Sequence, residues 1–212
     1  MDTFSLARML VGTWCCLSYS FGGDCVYEKG GDIFVKGEFG KIVTLTSTGR
    51  DFDPSITDRV VVFCRRDSND EFRSSVYAIN LPAGSEKLIF SGPVKYRGGR
   101  IDDLALPQID ETTQTLFFLA RGAVTTAELF RVDLKTNMAA WVASAAYYLL
   151  IRSGPHAGDL LVNQREHTAS GDISYAWWYY SRAGKRLGFA GTDRLRVNSL
   201  VCTQPEQSKD QR

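Results

Sequence analysis

The chain lacks most of the features by which enzymes, membrane proteins and nucleic-acid binders show themselves. His156 and His167 are its only histidines among 212 residues. They stand eleven positions apart on separate expected loops or strand ends, with no Cys-x-x-Cys nearby, so the ligand spacing of a zinc site is missing and neither a metal nor another cofactor is expected. No Gly-x-Ser-x-Gly elbow occurs, which removes the usual nucleophile signal of a serine hydrolase. No run reaches the roughly 18 apolar residues of a membrane span. Excess charge is absent too: 25 Lys and Arg against 24 Asp and Glu leave a net charge of +1, which gives no electrostatic case for nucleic acid or an anionic membrane. The five cysteines (Cys15, Cys16, Cys25, Cys64 and Cys202) are an odd number and do not spell a disulfide framework. Helical periodicity is scarce; even the alanine-rich Met138–Ala146 fits a strand hairpin better.

What is present is an ordinary globular composition, 44% apolar and 23% charged, in a chain long enough to bury a real core. Met9–Tyr19 is mildly apolar and ends near a small-x-small Ser18-Tyr19-Ser20. Asp2 beside Arg8, and Gly12, Thr13 and two cysteines within the apolar run, weaken it as an export signal. Residues 1–23 are therefore read either as a signal or as a disordered lead. The expected location is periplasmic or secreted in the first case and cytoplasmic in the second. Residues 24–203 are expected to form a single domain, with 204–212 a polar tail.

The most informative stretch is Lys41–Arg66. Ile42–Leu45 is short, β-branched and half apolar, as a half-buried strand requires. Pro54 cannot donate to a sheet ladder and belongs at a strand start or edge. Val60–Cys64 is continuously apolar, the mark of a strand covered on both faces, and so of sheets stacked face to face. Four segments then share one plan of apolar strand, polar turn and apolar strand: Asp32–Leu45, Val76–Phe90, Leu129–Val142 and Trp178–Phe189. Their second strands begin near Ile42, Lys87, Ala139 and Arg186, at spacings of 45, 52 and 47 residues, a period of the kind propeller arrays show. Between them lie three pairs read as outer strands: Phe52–Arg66, Leu104–Arg121 and Tyr147–Arg165. Pro107 and Ile109 in the second mirror Pro54 and Ile56 in the first. The expectation is an all-β, propeller-like array of three to four four-stranded units, a partial or small β-propeller, with a half unit at the N-terminus that Leu195–Val201 could complete. The competing architecture is a β-sandwich.

Leu45-Thr46-Ser47, Asp53-Pro54-Ser55-Ile56 and Asp58-Arg59 leading into Val60–Phe63 resemble the TolB-type propeller repeat. Thr57-Asp58-Arg59 stands where that family has Ser-Pro-Asp-Gly. The resemblance implies a protein- or ligand-binding scaffold of a kind often found in bacterial envelopes. A propeller-like ring brings its ends together, so a Cys25–Cys202 disulfide is expected as a closure staple. An array that stays open leaves sheet edges that invite self-association or a partner.

Candidate contact residues fall in three places. Lys95-Tyr96-Arg97-Gly98-Gly99-Arg100 is basic and aromatic, but Asp102-Asp103 follow at once and are expected to cancel much of the charge. It reads as a flexible inter-unit loop whose Tyr96, Arg97 and Arg100 could meet a partner. Tyr175–Tyr180 is the densest aromatic run, and strand alternation sends Tyr175, Trp177 and Tyr179 to one face and Trp178 and Tyr180 to the other. It is either a buried strand or a source of Trp177 and Trp178 as binding anchors. His156 follows Pro155 in an expected turn. Cys64, inside an apolar strand, reads as a small buried hydrophobe. With no catalytic set in view, the leading expectation is a non-enzymatic binding protein, one concrete form being an immunity protein that blocks a secreted bacterial toxin. The alternatives are a propeller-type hydrolase or lyase and a TolB-like envelope docking protein.

Overall fold

A computed structural model describes residues 24–37, 39–82, 84–122, 127–167 and 170–192. The expected signal or lead at 1–23, the strand at Leu195–Val201, Cys202 and the tail at 204–212 all lie outside them. Among the described residues there is no α-helix, and hence none long and apolar enough to cross a membrane.

The strands follow one another as antiparallel meanders. β1 (Cys25–Lys29), β2 (Asp32–Lys36) and β3 (Ile42–Thr44) form a three-stranded sheet. β4 (Asp51–Thr57), β5 (Val60–Arg66), β6 (Ser74–Asn80) and β7 (Lys87–Ser91) form the first four-stranded sheet. A two-stranded hairpin, β8 (Val94–Tyr96) and β9 (Gly99–Ile101), precedes the second, made of β10 (Asp103–Asp110), β11 (Thr115–Arg121), β12 (Ala127–Asp133) and β13 (Met138–Ala145). β14 (Tyr147–Leu150), β15 (Leu160–His167), β16 (Ile173–Tyr180) and β17 (Arg186–Gly191) form the third. All four expected hairpins are present, as β2–β3, β6–β7, β12–β13 and β16–β17. The described residues form two compact units: the first takes those through 122 plus Phe130–Ala140, the second takes 127–129 plus those from Trp141 on.

Stacking in the first unit follows from β5. Val61 and Phe63 enter a core with Val26, Ile33 and Val35 of the β1–β3 sheet. Cys64, on the opposite face, joins Val76, Phe90, Leu104, Leu116, Phe118 and Phe130. Phe118 stacks between Phe90 and Phe130, with ring centroids 5.2 and 6.1 Å away. A buried aromatic or branched side chain of this kind contributes about 1.5–3 kcal/mol, so the two-faced strand holds three sheets together.

Four expectations need correction. The N-terminal unit is not a half: β1 adds a third strand that begins at Cys25. The Phe52–Arg66 and Leu104–Arg121 pairs are not outer. β4 packs against β1, β2 and β10, and β10 also against β5 and β6, so these first strands lie between neighbouring sheets. Pro54 lies within β4 at a bulge on this edge strand, between Phe52 and Ser55, and Pro107 sits at the matching bulge of β10. Each proline follows a residue with positive φ, Asp53 at 50° and Leu106 at 49°. Lastly, residues 94–101 are not a flexible loop. They form a hairpin whose two central residues, Arg97 and Gly98, have φ of 47° and 79°, the two-residue turn that matches strand twist. Nor do the neighbouring acids neutralise it. Asp103 Oδ2 takes the Arg121 Nε–H at 3.2 Å, while Asp103 Oδ1 and Asp102 Oδ1 are buried.

Candidate functional site

The β14–β17 sheet, within the second unit, carries a network of aromatic and polar contacts. β15 and β16 pair over eight residues each, from Leu160↔Tyr180 to His167↔Ile173. On one face lie Trp178 and Tyr180 of β16, Gln164 and Glu166 of β15, and Arg186 and Phe189 of β17. The Trp178 indole Nε1–H donates to Glu166 Oε1 at 2.9 Å. The Arg186 guanidinium lies 3.1 Å from the Trp178 ring centroid and 3.6 Å from Glu166. Phe189 meets the same indole edge-on at 5.0 Å. Tyr180 donates to Gln164 at 3.0 Å, and Gln164 in turn donates to the Ser144 carbonyl at 2.8 Å. Ser144 and Trp141 both donate to Glu128 Oε2, at 2.9 and 2.8 Å, which gives that buried carboxylate its partners. A cleft of about 220 Å³ opens beside this network, lined by Ser144, Ala145, Ala146, Gln164, Glu166 and Arg186 among others. Phe189 is 56% exposed and the Arg186 side chain 44%, so this aromatic–guanidinium cluster is accessible from solvent.

The opposite face is different. Trp177 is only 4% exposed and meets Tyr147 edge-on at 6.3 Å; it belongs to the core and offers a partner no surface. The His156 ring stacks on Tyr179 at 4.5 Å, with Nδ1 3.2 Å from Asp159 Oδ2. Alternation thus sorts the aromatic run as expected. It places His156 and Trp177 on one side of the sheet and Trp178 on the other. Tyr96, Arg97 and Arg100 share the β8–β9 hairpin of the first unit. Cys25 is half-buried at the start of β1, and its expected partner Cys202 lies outside the described residues. The contacts of Glu166 and Arg186 were not legible in the sequence. Trp178 pairs directly with Val162, and its long side chain leans along the strand to reach Glu166, four residues further on.

Three buried groups of the first unit titrate away from their ordinary values. Burial lifts the Asp53 carboxyl above its ordinary value, against the opposing field of Arg121, a hydrogen bond from the Leu106 amide at 3.1 Å, and Arg66. Asp103 is likewise raised by burial against Arg121 and Arg66. Burial also pushes the Cys64 thiol well up, which makes it a poor nucleophile. With Ser55 donating to the Pro107 carbonyl at 2.6 Å, Asp53 straps the bulge of β4 to that of β10. Among the described residues no group of three or more His, Cys, Asp and Glu side chains is arranged to hold a metal ion.

Successive four-stranded antiparallel meanders, each stacked on its chain neighbour where the first unit shows it, define the β-propeller class. The chain has that fold in a small or partial form. It is similar to TolB from Acinetobacter baumannii, with a TM-score of 0.56 and 11% identity over 80% of this chain and 41% of that one. It is also similar to the tricorn protease, with a TM-score of 0.55 and 13% identity over 82% of this chain and 16% of that one. The chain therefore spans less than half the length of either structure. No family model matches it, and no curated protein does.

Proposed function

We propose that this chain is a non-enzymatic, protein-binding scaffold of the propeller type, with the Trp178–Arg186–Phe189 cluster at the centre of its contact surface. The observation that carries this reading is the exposed cluster itself. Tryptophan and arginine are the types that dominate binding energy at protein interfaces. Here a guanidinium is preorganised over an indole that Glu166 already orients, so little ordering remains to be done on association. The likeness to TolB supports a propeller scaffold; an immunity protein for a secreted toxin is the most specific form of the same reading.

The test is affinity capture from the native cell lysate followed by mass spectrometry, run in parallel with wild type, Phe189→Ser and Arg186→Glu. Both variants alter exposed side chains and leave the core alone. The expected result is one stoichiometric partner that is retained by wild type and lost from both variants. Capture that is indifferent to these substitutions, or turnover in a broad hydrolase screen, would overturn the reading.

A further inference from the structure

We propose that the β8–β9 hairpin is a docking ribbon for an acidic protein segment, with Lys95, Arg97 and Arg100 as its contact residues. It stands on a different element from the Trp178 cluster, so the two readings fail separately.

Three cations project from a ribbon of eight residues, and all three are exposed. Among the described residues none of them forms an ion pair. The acids that follow in sequence are turned inward, Asp103 onto Arg121 and Asp102 with its Oδ1 buried. Two features of the ribbon work against its own stability. Lys95 lies directly opposite Arg100, and like charges directly across a strand pair repel. Arg97 occupies the first central position of the turn with a φ of 47°, where asparagine, aspartate or glycine is favoured. Both departures add positive charge to the ribbon, and no carboxylate among the described residues pairs with it. Local rules are broken in this way where a site is kept for a partner.

The base of the ribbon is held in place. Val94 is buried in the core that contains Phe118, and Ile101 packs against the same cluster. Tyr96 meets Phe130 edge-on at 6.1 Å, and Arg97 lies over the Tyr96 ring at 5.0 Å. In this proposal Tyr96 acts as a positioning residue, held by Phe130 and Arg97. This also decides the kind of partner. Single-stranded nucleic acid would need an aromatic face for base stacking, and the Tyr96 ring is already engaged by Phe130 and Arg97. Two guanidinium forks beside one ammonium suit the paired oxygens of Asp and Glu carboxylates.

The probe is a fluorescein-labelled deca-glutamate peptide, followed by fluorescence anisotropy on the full chain at about 50 mM and about 200 mM salt. A labelled single-stranded oligothymidylate is measured alongside. Wild type is expected to bind the peptide more tightly than the oligonucleotide, with affinity falling at the higher salt. Arg97→Ser/Arg100→Ser is expected to bind the peptide about tenfold more weakly. A control pair at exposed lysines elsewhere, Lys36→Ser/Lys87→Ser, keeps the wild-type affinity if the ribbon is the site. Absence of peptide binding, equal loss in both double variants, or tighter binding of the oligonucleotide through Arg97 and Arg100 would each overturn the proposal.

Discussion

Replacing Asp53 with asparagine is expected to stabilise the first unit at neutral pH and to remove part of its pH dependence. The folded-state pKa of Asp53 is raised, because burial outweighs the fields of Arg121 and Arg66. A carboxyl of this kind holds its proton more tightly in the folded protein. Its contribution is fully present below the unfolded-state value near 3.9 and is lost as pH rises through the folded value. One such group changes stability by at most about 1.4 kcal/mol per pH unit. Asp103 is raised for the same reason and acts with the same sign. Asparagine keeps an oxygen where Asp53 Oδ2 accepts the Leu106 amide at 3.1 Å, and it has no charge to desolvate. The variant and wild type are therefore expected to match near pH 4. The advantage of the variant then grows with pH and levels off once the wild-type carboxyl is ionised. Asp53→Ala, which removes the acceptor along with the charge, is expected to cost about 1–3 kcal/mol near pH 4, and less as pH rises and the wild-type carboxyl ionises.

Intrinsic fluorescence is the wrong probe, since the described tryptophans, Trp141, Trp177 and Trp178, all belong to the second unit. Amide hydrogen exchange by mass spectrometry is suitable, read on peptides from β4, β5, β10 and β11 between pH 4 and 8 after correction for intrinsic exchange rates. A variant-minus-wild-type difference that stays flat across this window, or that shrinks as pH rises, would refute the reasoning.

Three further outcomes are expected. Arg65 binds Asp51 through two nitrogens and Glu86 through a third, and it lies over Tyr77 at 4.6 Å; the Asp51 side chain is 0% exposed. Arg65→Met strands that buried carboxylate and is expected to cost about 3–5 kcal/mol. Asp51→Asn/Arg65→Met should lose less than the single change, and a double-mutant cycle in denaturant checks this. Phe118→Ala, between two stacked rings, is expected to cost about 3–5 kcal/mol, read as reduced exchange protection on both β5 and β11. Arg100→Glu turns the like-charge pair with Lys95 into an attractive one worth roughly 0.5 kcal/mol, and Arg97→Asn relieves about 1 kcal/mol of turn strain. Each is expected to raise the exchange protection of the hairpin amides while weakening binding of the acidic peptide.

Much of the architecture was legible in the residues themselves. The strands of the four hairpins could be read because strand alternation and turn chemistry are local, and a repeat spacing of 45 to 52 residues shows without a fold. The burial of Val61–Cys64 on both faces followed from an unbroken apolar run, and the paired Pro54/Ile56 and Pro107/Ile109 marked equivalent strands. β1 escaped because Cys25–Lys29 mixes polar and apolar residues without strict alternation; its burial of Val26 depends on β4 packing across it. The β8–β9 hairpin escaped because its turn places an arginine where φ is positive, so its residues resemble a loop. Charge was misread for a related reason: Asp102 and Asp103 are adjacent to the basic residues along the chain, but the strand that begins at Asp103 turns their carboxyls into the sheet junction. Sequence alone thus determined the class of strand array and its repeat. Only the tertiary structure decided which side chains face solvent, which carboxylates titrate abnormally and which cations stand unpaired, because each of these depends on side chains from separate strands meeting or failing to meet.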